Sequence, residues 1–336
     1  MSSALRSRLA GVLVALAAIP MWWPADHRWF SGGLLLVLGV PALRAWRRGA
    51  NGRELLVLLL TLATAVAHAW LPFSAPIAVL TIAIVGGAFP LQLWLETLRR
   101  RLPASELTVL LLTQPGLAVA VHVLGPQTVT LEHTTRGWLA AWFVVAAVVQ
   151  TGLGLVRRDP LRAIVAIGLS QSVLLIAGAM ASGRTFAAEY SMLLGTDLGL
   201  VSLLLVLAEL RSRYGVVALS PGHGLAEVEG RLARLFLVAG WLFVGLPGGI
   251  VFFAEDLLFH ALMAHSTWTA AGMIFASVLN GIVFYRVHLG LFSGRMDSGL
   301  RANSRRRRWL PPLLRVLVVV TLWFGMFPQH LLLGAH

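Results

Sequence analysis

Gly245-Leu246-Pro247-Gly248-Gly249 runs straight into Ile250-Val251-Phe252-Phe253-Ala254-Glu255-Asp256-Leu257-Leu258-Phe259. A proline among glycines cannot continue a regular helix, so the chain breaks here and restarts as an apolar segment. Two adjacent carboxylates then sit inside that segment. Lipid cannot solvate them, so carboxylates in such places are kept at a cost and usually line an ion or proton path.

The rest of the chain sets the environment of this break. Its 336 residues are 58% hydrophobic and 12% charged, against roughly 25% charged in a soluble domain. Mean hydropathy is +0.81. The apolar runs are long and do not alternate, so helices rather than a closed barrel satisfy the backbone. The pattern predicts an all-α, polytopic membrane protein of about twelve transmembrane helices. Two are interrupted, at Thr113-Gln114-Pro115-Gly116 and at the break above, which suggests inverted repeats. The break separates a ninth segment, 232–247, from a tenth, 250–264, and an eleventh covers 269–293. The first segment, 9–23, reads as a retained helix rather than a signal peptide, because polar residues and more spans follow it without a clear cleavage site.

The net charge of +13 does not mark a nucleic-acid binder, because the arginines gather in short loops between apolar runs, as topology signals do. Clusters at Arg6/Arg8, Arg44–Arg53, Arg99–Arg101, Arg157–Arg162 and Arg211/Arg213 alternate correctly to lie on one face. The last cluster, Arg301 and Arg305 to Arg308, falls on the opposite face in a twelve-span count. Cysteine is absent, which excludes disulfides, thiolate metal sites and cysteine-held clusters. All 27 basic residues are arginine. Arginine does not deprotonate in proteins whereas buried lysine can, so no proton relay in this chain uses lysine. No His-Glu-x-x-His, Gly-x-Ser-x-Gly or P-loop pattern occurs, and neither a cofactor, a metal nor a catalytic activity of the chain's own is expected.

Six residues are the candidates for an ion path. Glu255 leads, with a helix N-terminal carboxylate as the alternative reading. Asp256 either shares that role or caps the helix start. His260 lies four and five residues further, on roughly the same face, as a second relay group or a simply bonded histidine. Asp197 interrupts the apolar run of the eighth segment. Arg286 is expected to be the charge partner of a buried carboxylate, and pairing with Glu255 would make Glu255 structural or a gated switch. Gln114 can support a hydrated path but carries no charge.

Four motifs then resemble one family in order. Gly245-Leu246-Pro247 with Phe252-Phe253-Ala254-Glu255-Asp256 resembles the late broken helix of the antiporter-like subunits of respiratory complex I and Mrp-type cation/proton antiporters. Leu279-Asn280 through Arg286 is similar to the following helix. Arg158-Asp159-Pro160-Leu161-Arg162 with Ser170-Gln171 resembles the Asp-x-Lys-Arg…Ser-x-Ser-(Gln/His) segment. Phe89-Pro90-Leu91-Gln92-Leu93-Trp94-Leu95 with Pro103-Ala104-Ser105 resembles an earlier Pro-(Leu/Phe)-His-x-Trp-Leu-Pro…Pro-x-Ser run.

The match covers an antiporter-like core within residues 81–336, while the N-terminal helices of residues 1–80 match poorly. The resemblance implies proton or cation translocation through mid-membrane ionisable groups, with Glu255 at the late Lys/Glu position. Gln114 and Leu161 stand where family lysines are expected, so the relay is incomplete. The implied setting is a multi-subunit, redox-driven or ion-coupled complex in a bacterial-type inner membrane. Its partners would be other membrane subunits, the lipid bilayer and a peripheral soluble subunit. Two alternatives stay open: a proton-coupling subunit of an inorganic-carbon uptake complex with a peripheral zinc protein, and a non-conducting structural subunit.

Overall fold

The computed structural model describes residues 75–90, 131–182, 186–215, 218–219, 222–295 and 309–328, with isolated positions between 43 and 63. Those residues form helices α1 (Ala75–Val85), α2 (His133–Val156), α3 (Pro160–Ser182), α4 (Phe186–Tyr214), α5 (Ala226–Phe243), α6 (Ile250–His265), α7 (Thr267–Phe292) and α8 (Leu310–Met326), with no strand among them. The stretches 133–156, 160–182, 191–214 and 267–292 are each long and apolar enough to cross a membrane. The all-helical, polytopic reading therefore holds. The segments expected at 9–23 and 105–124, most of those at 30–46 and 54–71, and the first break with Gln114 lie outside the described residues. The repeat relation between the two breaks lies outside them too.

The chain divides into two compact units, 1–143 with 176–186 and 144–175 with 187–336. In the first, α1 buries Ile82 and Ala83 and ends in the Gly86-Gly87 turn. The second holds the broken helix and every described candidate residue. It also holds residues 160–175 of α3, a helix whose apolar window is fully buried. The Asp159-Pro160 pair starts this helix. Asp159 Oδ1 accepts the Leu161 N–H at 3.0 Å, and Pro160 occupies the first turn, where a missing donor costs nothing.

The break is built from two successive turns. Gly245, at φ +79°, is the left-handed residue that closes α5, and the Leu246 N–H reaches back to Trp241 O at 3.1 Å in a Schellman arrangement. Leu246-Pro247-Gly248-Gly249 then forms a type II turn. Pro247 leads it, Gly248 takes φ +93°, and the Gly249 N–H donates to Leu246 O at 3.2 Å. α6 restarts at Ile250. Small residues seat the neighbouring helices on this irregular backbone, since close approach is what glycine permits in a membrane. Gly195 and Gly199 of α4 lie against Ile250/Val251 and Phe243, on either side of the break, and Gly325 of α8 lies against the Gly248–Ile250 backbone.

α5 and α6 share the length of α7 between them. Leu225 at the head of α5 bonds Leu291 O, Phe236 stacks on Phe284 and His288, and Gly240 abuts Phe284. Beyond the break, Glu255 of α6 meets Ser277, and α6 turns into α7 at Ser266. Both halves thus run antiparallel to the same 26-residue helix, about 39 Å long. Together they make one broken crossing.

These are the ninth and tenth segments of the sequence reading, each apolar and of near-spanning length. The ends of α2 and α7 and the start of α5 meet at one end of this unit: Arg286 bonds Arg157 O, Leu219 bonds Arg158 O, and residues 223–225 bond 290–293. The chain leaves α7 at that arginine-rich end.

A buried ion pair locks this end. Arg213 of α4 pairs with Glu229 of α5, which also accepts the Tyr214 hydroxyl at 3.1 Å. Glu229→Ala strands the guanidinium, and the expected loss is about 3 kcal/mol in thermal unfolding in detergent. Replacing both partners by apolar residues of similar size should recover most of it.

Candidate functional site

The polar groups of the second unit collect at the level of the break. Ser277 Oγ donates to Glu255 Oε1 at 3.0 Å. One turn along α7, Asn280 Oδ1 accepts from the Thr151 hydroxyl of α2 at 2.7 Å. Thr151 Oγ1 in turn lies 2.9 Å from Ser170 Oγ of α3, and with its own proton committed to Asn280 it accepts from Ser170. The neighbouring Gln171 donates to Phe243 O, satisfying a carbonyl that the end of α5 leaves without a helical partner. Thr151, Ser170, Gln171 and Asn280 are wholly buried. Asn280 Nδ2 and Gln171 Oε1 have no hydrogen-bond partner among the described residues.

Glu255 is held against the break itself. A Cβ built on Gly245 would run into the Glu255 carboxylate. Glycine is therefore needed there twice, for the left-handed backbone and for the space the carboxylate fills. No cation pairs with Glu255 among the described residues.

The other candidates separate from it. Asp256 and His260 face outward, with side chains 57% and 70% exposed, and bond one another: His260 Nδ1 lies 2.8 Å from Asp256 O and 3.7 Å from Asp256 Oδ1. His260 serves Asp256, not Glu255. Asp197 is buried and its Oδ1 has no partner among the described residues. Because Gly195 and Gly199 face the break, the 100° step per residue puts Asp197 on the opposite side of α4.

Among the described residues, Arg286 has no carboxylate partner. Its Nη1 donates to Arg157 O at 2.9 Å and Gly154 O at 3.4 Å, at the C-terminus of α2, where the helix carries partial negative charge. On α7 it lies nine residues, about 13 Å, from Ser277 and hence from Glu255.

Three features escaped sequence reasoning: Ser277, Thr151 and the Gly240–Phe284 contact; His288 lies near a segment end and carried little weight in the sequence. Ser277 and Asn280 stand three apart in an apolar helix, which was the available signal. His288 lies on the same face, half-buried among Phe236, Phe284 and Phe292, and its Nδ1 has no partner among the described residues. Phe284, fully buried and seated on Gly240, separates His288 from Asn280. Gly240→Val should force Phe284 out of this seat, costing about 1–3 kcal/mol in detergent melts, with partial recovery in the Gly240→Val/Phe284→Ala double variant.

A broken membrane helix that sets a carboxylate against its own break, backed by a buried polar line, defines a polytopic membrane subunit of the discontinuous-helix type. The chain belongs to the NADH:quinone oxidoreductase/Mrp antiporter transmembrane family, whose profile matches residues 32–280. Solved structures share the fold. The Mrp complex from Dietzia sp. superposes with a TM-score of 0.69 at 18% identity, covering 90% of this chain and 71% of the other. Respiratory complex I from Thermus thermophilus with bound NADH gives 0.71 at 19%, covering 96% and 80%. The membrane-bound sulfane sulfur reductase, an archaeal respiratory membrane complex, gives 0.73 at 16%, covering 95% and 64%. No curated protein matches the sequence closely enough to count as a relative. All three structural neighbours come from membrane complexes.

Proposed function

We propose that this chain is the proton-translocating membrane subunit of a complex-I-like or Mrp-like assembly, with Glu255 as the group that takes up and releases the proton. One observation carries the reading: Glu255 lies against the break with a hydroxyl, not a cation, as its partner. A carboxylate locked to Arg286 would be a structural ion pair; one held by Ser277 is free to change protonation state.

The polar line Glu255–Ser277, then Asn280–Thr151–Ser170, supplies the next groups, with Ser277 and Asn280 joined through one turn of α7. These residues carry no charge, so they pass protons only through exchange along hydroxyls and bound water. The unpaired Asn280 Nδ2 and Gln171 Oε1 suit such water, because buried polar groups without a protein partner are where water binds. This path replaces the lysines that the chain lacks. By the positive-inside rule the arginine-rich end faces the cytoplasm of a bacterial-type cell, and a peripheral soluble subunit would dock there.

The test is proton flux in proteoliposomes containing the intact assembly. Thr151→Val with Asn280→Leu cuts the line while keeping its volume, and flux should fall roughly tenfold or more, a barrier increase of about 1.4 kcal/mol at least. Undiminished flux would leave the chain as a structural subunit, or move conduction to other residues.

A further inference from the structure

A groove of about 750 Å³ runs along the exposed side of α7 at its arginine-rich end. Val278, Ile282 and Leu289 form its apolar wall, each about half exposed, and Arg286 and Tyr285 supply its polar groups. Leu219 and Gly222, between α4 and α5, form its lip. The described residues there are anchored: Leu219 bonds Arg158 O at 2.8 Å, His223 bonds Gly290 O at 3.2 Å and Gly224 bonds Ser293 O at 2.8 Å.

We propose that this groove binds an anionic phospholipid, with its phosphate on Arg286 and the upper part of one acyl chain along Ile282 and Val278. Three observations converge on that ligand. From Arg286 to Val278 the groove runs eight residues, about 12 Å, which fits within one leaflet of a bilayer whose hydrocarbon core is about 30 Å thick. Arg286 lies six residues, about 9 Å, from the end of α7, which puts its guanidinium near the headgroup boundary. The guanidinium is also half-committed. Nη1 is anchored on the carbonyls of Gly154 and Arg157, while the N–H groups on Nε and Nη2 have no bond among the described residues.

A fork of spare donors held in a fixed orientation is what bidentate phosphate recognition uses. The surrounding charge favours a net-negative headgroup over a zwitterionic one, since Arg157 and Arg158 follow α2 at the same end, where Arg162 is paired with Asp159 at 3.4 Å. Basic pockets between membrane helices are where such headgroups bind. A helix from a partner subunit would leave those donors unmatched, because the groove offers a single cation set in an apolar wall. The site lies away from Glu255 and does not depend on conduction.

The test is lipid retention by the purified, intact assembly. The assembly is delipidated, exposed to equimolar phosphatidylglycerol and phosphatidylcholine, and analysed by native mass spectrometry. Gly281 lines the groove, and a Cβ there meets nothing within 4 Å. Gly281→Leu therefore fills the groove without disturbing Arg286, whereas Arg286→Gln removes the phosphate ligand together with an anchor of α2. Phosphatidylglycerol should be retained in preference to phosphatidylcholine, and either variant should cut that retention roughly tenfold, the effect of losing about 1.4 kcal/mol. Equal retention of the two lipids, or retention unchanged in Gly281→Leu, overturns the proposal. So does a photo-crosslink from position 282 that captures a membrane subunit instead of lipid.

Discussion

Glu255→Gln should reduce proton flux through the reconstituted assembly to the leak of protein-free liposomes, while the assembly purifies with its normal subunits. The amide keeps the shape of the side chain and still accepts from Ser277, so the packing against Gly245 survives. It cannot take up or release a proton in the working range, so every step through this position stops. Glu255→Asp is the graded companion. It retains the acid but shortens the reach by one methylene, which weakens the Ser277 bond, and it should keep a reduced flux. Equal flux in Gln and wild type would remove Glu255 from the path. Loss of subunits in the Gln variant would mark it as structural.

The second large effect is at the break. Gly245→Ala places a β-carbon in a left-handed backbone, at a cost of about 1–2 kcal/mol, and drives it into the Glu255 carboxylate. Gly248→Ala provides the control. Its backbone is also left-handed, at φ +93°, but a Cβ there has nothing within 4 Å. Both variants should melt several degrees lower in detergent. Flux should be lost in Gly245→Ala alone, because only that β-carbon pushes the carboxylate away from Ser277. Parallel loss of flux in both would mean that backbone strain, not the carboxylate position, governs activity.

The break was legible in the sequence because its chemistry is local. A glycine after the last helical turn and a Pro-Gly pair each dictate a turn without help from the rest of the fold. The pairing of its two halves was not legible. Hydropathy measures apolar length, and α5 and α6 each approach that of a span; their joint alignment on α7 is a tertiary fact. Glu255 was legible as an expensive buried acid. That Asp256 and His260 lie on a different face from Glu255 was not, because α6 is apolar nearly all round and gives no inward stripe to read. The partners of Arg286 were not legible for a related reason. A search for carboxylates overlooks helix C-termini, whose carbonyls also accept from a guanidinium. Thr151 gave no warning, since single hydroxyls in membrane helices commonly bond their own backbone, as Thr151 also does to Ala147 O.

The central claim is that the Glu255 carboxyl changes its protonation state as the assembly works. Infrared difference spectroscopy of the reconstituted assembly under turnover reads this directly, through the carbonyl stretch of a protonated carboxylic acid. The account predicts a carboxylic-acid band that rises and falls with turnover, shifts on deuteration and is absent in Glu255→Gln. A turnover-linked spectrum identical in wild type and Glu255→Gln, with proton flux intact in both, would contradict it.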